Sequence, residues 1–249
     1  MFSYQLYSSR NFPPLSRTLD MLARAGFAGV EGFGGLYADR AGLSALAEGL
    51  TANALRMRTG HFSIEQVEQT PDWVLEVAGT LGCEKVIVPW LHPDARPADG
   101  AGWRAFGQRL QCAGEPLIRA GLGFGWHNHD FEFRPDAQGV LPIAALFEGG
   151  PALEWEMDVA WVVRGGADPL HWITAEAGRI TAAHVKDIAP AGENAAEDGW
   201  ADVGQGVVPW ATLLPKLRDL GVKHFILEHD NPADDTRFAA RSLAAVKGY

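Results

Sequence analysis

The segment Trp126-His127-Asn128-His129-Asp130-Phe131-Glu132-Phe133 holds the residues of this chain best suited to chemistry. It follows the apolar run Leu122-Gly123-Phe124-Gly125, which reads as a buried strand. Side chains on a strand alternate faces, so His127 and His129 should project the same way. Two imidazoles side by side at a strand exit are poor core material but good metal ligands or proton carriers. Three later strands also end in charged residues: Trp155-Glu156-Met157-Asp158, Ala183-His184-Val185-Lys186-Asp187 and Ile226-Leu227-Glu228-His229-Asp230. Four polar strand ends suggest several strands delivering ligands to one site.

Asp158, His184 and Glu228 are oxygen and nitrogen donors from three consecutive strand ends, and His127 on the neighbouring strand is the candidate fourth. Such a set suits one divalent metal ion, Mn²⁺, Mg²⁺, Co²⁺ or Zn²⁺, and donor type does not choose among them. The alternative is a salt-bridged rim in which Lys186 pairs with Asp158 or Glu228.

These residues need strands that end together. Short apolar runs alternate with longer amphipathic stretches along the chain. The predicted strands are Phe2–Tyr7, Gly29–Phe33, Leu55–His61, Lys85–Trp90, the run from Leu122 to the two histidines, Leu153–Asp158, Ile180–Lys186 and His224–Glu228. Helices are predicted over Pro13–Ala25, Asp39–Asn53, Pro71–Leu81, Trp103–Ala120, Leu141–Phe147, Pro169–Glu176, Trp210–Leu220 and Asp234–Val246. Leu15, Leu19 and Leu22 recur at helical spacing before Gly26, and Pro71 and Gly82 bracket the third helix. Ala189–Gly206 reads as a polar loop. Strict strand–helix alternation implies a parallel sheet, and eight units favour a (β/α)8 TIM barrel over an open doubly wound sheet. Functional residues of such a barrel lie at the C-terminal strand ends, where His61, Trp90, His127, His129, Asp158, His184, Lys186 and Glu228 fall. With no low-complexity linker, the chain reads as one domain.

The bulk properties fit that reading. Of 249 residues, 47% are hydrophobic and 21% charged, as in an ordinary globular protein with a substantial core. A net charge of -10 argues against a nucleic-acid partner. No run is apolar for long enough to span a bilayer, so no membrane association is expected. Met1–Tyr7 lacks the basic region and apolar core of a signal peptide, and with only Cys83 and Cys112 a reducing cytoplasm is the simplest expectation. A homodimer is the base-rate oligomer.

At its polar strand ends the chain resembles the sugar phosphate isomerase/epimerase family of xylose isomerase-like TIM barrels. The matching pieces are Trp126–Phe133, Met157-Asp158-Val159-Ala160-Trp161, His184-Val185-Lys186-Asp187, Gly204-Gln205-Gly206-Val207-Val208-Pro209-Trp210 and Leu227-Glu228-His229-Asp230, in the family's order. The resemblance covers nearly the whole chain. It implies one divalent metal at the barrel mouth, held by a Glu, an Asp, a His and a second Glu from strands five to eight. The last three correspond to Asp158, His184 and Glu228. Where many relatives read Glu-Asn-His, this chain reads His127-Asn128-His129, which puts His127 at the position of a carboxylate ligand. Glu132, folding back, could supply a carboxylate instead.

The chemistry implied is proton transfer next to a carbonyl. A keto-sugar or related polyol would chelate the metal, which stabilises the enediolate formed on proton loss. Glu228 is the candidate base and His129 the candidate second proton carrier, since an imidazole suits that role near neutral pH. Protonation of a departing hydroxyl by His129 would make the enzyme a dehydratase or lyase instead. Lys186 shares a face with His184 and could neutralise an enediolate; its other reading is a salt bridge. His61, Trp90, Trp161 and Glu132 are candidate substrate contacts, though a rim histidine or a packed tryptophan would look the same in sequence. Glu31 is a weaker candidate. Phosphate is not expected, because Gly32-Phe33-Gly34-Gly35 and Gly204-Gln205-Gly206 read as a loop or tight turn. An unphosphorylated sugar, inosose or oxidised glycoside is favoured. The rivals are a DNA-cleaving barrel, disfavoured by charge, a non-catalytic sugar-binding barrel, and a zinc hydrolase, for which no His-Glu-x-x-His occurs.

Overall fold

The computed structural model describes residues 2–249. Its strands are β1 (Phe2–Gln5), β2 (Gly29–Phe33), β3 (Arg56–His61), β4 (Lys85–Val88), β5 (Gly123–His127), β6 (Glu154–Asp158), β7 (Ile180–Val185), β8 (Asp187–Ile188), β9 (Trp200–Ala201) and β10 (His224–Leu227). Among the described residues, eight of them form a closed parallel barrel in the order β1-β10-β7-β6-β5-β4-β3-β2. Closure comes from β1 pairing with β10, Phe2 opposite Phe225 and Tyr4 opposite Leu227. Helices surround the barrel, as expected of a (β/α)8 TIM barrel. No helix among the described residues is long and apolar enough to cross a membrane.

Strand alternation separates two interiors. In β5, Phe124 and Trp126 turn outward to the helix Gly100–Arg119, where Gly114 lies under the Phe124 ring and Phe106 packs edge-on against Trp126. In β6, Trp155 turns outward onto Phe147 and Trp172. The alternate residues His127, Glu156 and Asp158 must therefore turn inward, into the mouth of the barrel. The apolar core lies mainly between barrel and helices, and the C-terminal end of the barrel is filled by charged groups.

Several boundaries differ from those the sequence predicts. β1 stops at Gln5 rather than Tyr7, because the Gln5 side chain accepts the Tyr7 amide and turns the chain into a 3-10 segment over Leu6–Ser9. β4 stops at Val88, one residue before Pro89, which has no N–H for the ladder; Trp90 therefore sits in a loop. The long helix begins at Gly100 rather than Trp103, since Asp99 caps it through the Gly102 amide. The segment read as a loop, Ala189–Gly206, is organised by the antiparallel pair β8–β9. Asp187 anchors it by accepting the amides of Gly204, Gly206 and Val208 at 2.9, 3.1 and 2.9 Å. A Cβ on Gly206 would overlap the Asp187 carboxylate and the Ile188 carbonyl. The indole of Trp210 then donates to the Lys186 carbonyl at 2.8 Å. The His-Val-Lys-Asp and Gly-x-Gly-x-x-x-Trp segments are thus two halves of one hydrogen-bonded unit.

Candidate active site

Six ionisable side chains from five strands, with Lys186 just beyond β7 and Glu228 just beyond β10, meet inside the C-terminal end of the barrel. Glu31, His61, His127, Glu156, Asp158, His184, Lys186 and Glu228 are all buried. Local structure aims each of them. Asp158 caps the short helix Val159–Arg164 by accepting the Trp161 amide on Oδ1 at 2.9 Å, which leaves Oδ2 buried with no hydrogen-bond partner among the described residues. Asn128 straps β5 to β6: its Oδ1 accepts the Asp158 amide and the Trp155 indole, each at 2.9 Å, and its Nδ2 donates to the Asp158 carbonyl at 3.1 Å. Asn128 therefore sets the height of Asp158 relative to His127.

The ligand atoms of His127, Asp158, His184 and Glu228 all lie within 4.8 Å of one another. His184 Nδ1 is 2.9 Å from Glu228 Oε2, and His127 Nε2 is 3.8 Å from Asp158 Oδ2. Ligand atoms of a second group, His61, His127, Glu156 and His184, likewise lie within 4.8 Å of one another deeper in the barrel. His61 Nε2 lies 2.6 Å from Glu156 and 3.1 Å from Glu31, and His184 Nε2 lies 2.7 Å from Glu31 and 3.2 Å from Glu156. These residues fit a divalent cation. The donors are hard oxygens and borderline nitrogens, one ligand oxygen has no hydrogen-bond partner, and four buried carboxylates face one permanent cation, Lys186, among the described residues.

Burial and charge set the protonation states in opposite directions. Burial alone would lower the pKa of His61, but Glu31 and Glu156 outweigh it and raise the imidazole to about 10. His184 is raised for the same reason, with Glu156, Glu31 and Glu228 around it. Burial raises Asp158 to about 6, partly countered by Lys186 and His184. For Glu228 burial is overcome by Lys186 and His184, so its carboxyl lies well below the usual range. Lys186 stays charged despite burial because Asp230, Glu228 and Asp158 surround it.

Lys186 both pairs and takes part in the cluster. Its Nζ donates to both Asp230 oxygens at 2.8 Å, lies 3.2 Å from Glu228 and 3.5 Å from Asp158, and sits over the Trp200 and Trp161 rings. Above the cluster opens a cavity of about 700 Å³ whose lining includes Tyr7, Phe33, Phe62, Trp90, His129 and Glu228. Among the described residues no lysine or arginine lines it.

Several expectations need correcting. Glu132 does not fold back toward the cluster: one oxygen accepts the Trp126 indole at 3.0 Å and the other the His129 amide at 2.9 Å, and burial raises it to about 8. Trp161 packs on His129 and beneath Lys186, and neither it nor Glu132 lines the cavity. His61 does line it, but its Nε2 is held by Glu156 and Glu31 rather than left for a substrate hydroxyl. His129 does not titrate near neutrality, because burial, with Lys186 nearby, lowers it to about 3. Its Nδ1 has no partner among the described residues. Trp90 is 43% exposed on the cavity wall. Sequence reasoning passed over Glu156 and Asp230 and underrated Glu31. Glu156 carried a usable signal, since it lies two residues before Asp158 on one strand and so shares its face.

The model of the xylose isomerase-like TIM barrel family matches residues 19–246. No curated protein matches the sequence. Among solved structures, a sugar phosphate isomerase/epimerase from Parabacteroides distasonis is similar with a TM-score of 0.80 at 19% identity, covering 98% of this chain and 92% of that one. A probable 3-DHS dehydratase from Bacillus anthracis has a TM-score of 0.74 at 14% identity, over 99% of this chain and 98% of that one. A 3-keto-D-glucoside 4-epimerase from E. coli has a TM-score of 0.72 at 15% identity, over 100% of this chain and 99% of that one. At these identities the likeness is one of fold.

Proposed function

Because the chain belongs to the xylose isomerase-like TIM barrel family, we propose that it is a metal-dependent isomerase or epimerase of an unphosphorylated keto-sugar or related polyol. The observation that carries the reading is the convergence of ligand atoms of His127, Asp158, His184 and Glu228 within 4.8 Å, with a buried Asp158 oxygen that has no hydrogen-bond partner among the described residues. When bound there, a divalent ion would supply Lewis acidity to a carbonyl whose neighbouring carbon loses a proton. Glu228 lines the cavity and is held ionised at neutral pH, which suits a proton acceptor. His129 lines the same cavity with an Nδ1 that has no hydrogen-bond partner among the described residues, which suits accepting a hydrogen bond from a substrate hydroxyl. Lys186 keeps Glu228 and Asp158 charged and in place.

The lining argues the substrate class. Glu228 and Asp230 would repel a phosphate, and no lysine or arginine among the described residues lines the cavity to receive one. Tyr7, Phe33, Phe62 and Trp90 offer apolar faces for the C–H side of a sugar ring. The fold shared with a 3-keto-D-glucoside 4-epimerase supports a keto-sugar. Elimination is the second reading, supported by the fold shared with a probable dehydratase. It would need an acid to release a hydroxyl as water, and the depressed pKa of His129 disfavours that role.

The first test is metal content of the purified protein beside an Asp158→Ala/His184→Ala variant. One equivalent in the parent, lost in the variant, is expected. Keto-sugars are then incubated in heavy water. Deuterium uptake with carbon skeleton and hydroxyls intact is the expected result. Release of water with a new ultraviolet-absorbing enone would establish elimination, and a parent binding none of the four ions after reloading would sink both readings.

A further inference from the structure

Below the proposed metal ligands lies a layer whose hydrogen bonds all lead to the two ligand histidines. Glu31 sits in β2 and Glu156 in β6, both fully buried. Gln5 fixes Glu31 from below: its oxygen accepts the Tyr7 amide at 3.1 Å, so its nitrogen faces Glu31 Oε1 at 2.8 Å. His61 ties the layer together, with Nε2 between Glu156 Oε2 and Glu31 Oε1 at 2.6 and 3.1 Å.

A neutral histidine binds a metal through one ring nitrogen and carries a proton on the other, and the acceptor that takes this proton decides which is which. His184 turns Nε2 toward Glu31 at 2.7 Å and Nδ1 toward the mouth beside Glu228 at 2.9 Å. His127 is reversed, with Nδ1 toward Glu156 at 3.3 Å and Nε2 toward Asp158 at 3.8 Å. Without the layer, either nitrogen of each ring could carry the proton.

We propose that Glu31 and Glu156 are positioning residues: they hold the proton of His184 on Nε2 and that of His127 on Nδ1, so that Nδ1 of the one and Nε2 of the other face the metal at the barrel mouth. The inference rests on the metal reading above. It also explains why the layer carries unsatisfied groups. Glu31 Oε2 and Glu156 Oε1 are buried with no partner among the described residues, an arrangement that costs stability and so has to be retained for another reason.

The test pairs a nitrogen–proton correlation spectrum of histidine-labelled, zinc-loaded protein with chelator-competition affinities for the parent, Glu31→Gln and Glu156→Gln. The expected spectrum has His184 protonated at Nε2 and His127 at Nδ1. Each substitution is expected to weaken zinc binding by about 10–100-fold while leaving one equivalent bound and the metal-free fold intact. The spectrum of the parent decides the matter even where a variant fails to fold. His184 coordinated through Nε2, or unchanged affinity in both folded variants, overturns the inference and leaves the metal reading standing. Zinc retained by Asp158→Asn but lost from His61→Gln would place the ion in the lower layer and overturn it too. A parent that takes up no zinc overturns this inference, and one that binds none of Mn²⁺, Mg²⁺, Co²⁺ and Zn²⁺ overturns the metal reading with it.

Discussion

At the scale of single residues, Asp158 divides its two oxygens between two tasks. Oδ1 caps a helix and Oδ2 faces the cluster. Asp158→Asn keeps the cap when its amide oxygen takes the Oδ1 position, but replaces a ligand oxygen with an NH2 group. The expected outcome is metal affinity lower by at least about 100-fold with little change in metal-free stability, read by chelator competition and thermal unfolding. Trp90 makes the opposite case, as an exposed wall residue away from the ligands. Trp90→Ala is expected to raise KM about tenfold, the worth of roughly one stacking contact, with metal content unchanged. His61 gives a pH signature. Its pKa is raised from 6.5 to about 10 by Glu31 and Glu156 acting against burial, so the folded state holds its proton more tightly than the unfolded chain. That contribution is complete below about pH 6.5 and is lost as pH rises toward 10. The melting temperature of the metal-free protein should therefore fall from pH 7 to pH 10, and His61→Gln should flatten that slope.

At the scale of elements, most of the fold was legible because strands and helices alternate with punctuation. Gly26, Gly82 and Gly221 each close a helix with φ of 89, 74 and 86°, a region that glycine enters without strain. Short, closely spaced elements were harder. The helix Val159–Arg164 follows β6 without a loop, and β8–β9 has two residues per strand, too few for a period to register. Close helix packing was also invisible in the pattern. A Cβ on Gly107 would overlap the Leu146 carbonyl, and one on Gly149 the Arg104 carbonyl, so the helices Gly100–Arg119 and Pro142–Gly149 meet backbone to backbone. Gly107→Ala has no side chain on its neighbour to move aside. It is expected to destabilise by about 1–3 kcal/mol, measured as a lower denaturant midpoint with unchanged metal stoichiometry.

At the scale of the whole molecule, the proposed metal links strands β5, β6 and β7 to the residue after β10, and so bears on the stability of the barrel as a unit. A ligand that binds only the folded state stabilises it by about 2.7 kcal/mol at a hundredfold excess over Kd. For a chain of this size that corresponds to a rise in melting temperature of about 5–10 °C, dependent on ion concentration and absent in Asp158→Asn. Fold class and the placing of the eight barrel strands followed from the sequence alone, and so did the proposal of His127, Asp158, His184 and Glu228 as one set, because side-chain alternation and strand ends are local properties that residue types reveal. What tertiary structure alone decided is which side chains share a hydrogen bond across the barrel. Glu31 and His184 are 153 residues apart, and no local pattern brings them to 2.7 Å. Glu132 shows the converse: local spacing placed it near the ligands, but its carboxylate is drawn away by the Trp126 indole and the His129 amide. Burial, which sets the charge of His129 and Asp158, likewise exists only once the barrel has closed around them.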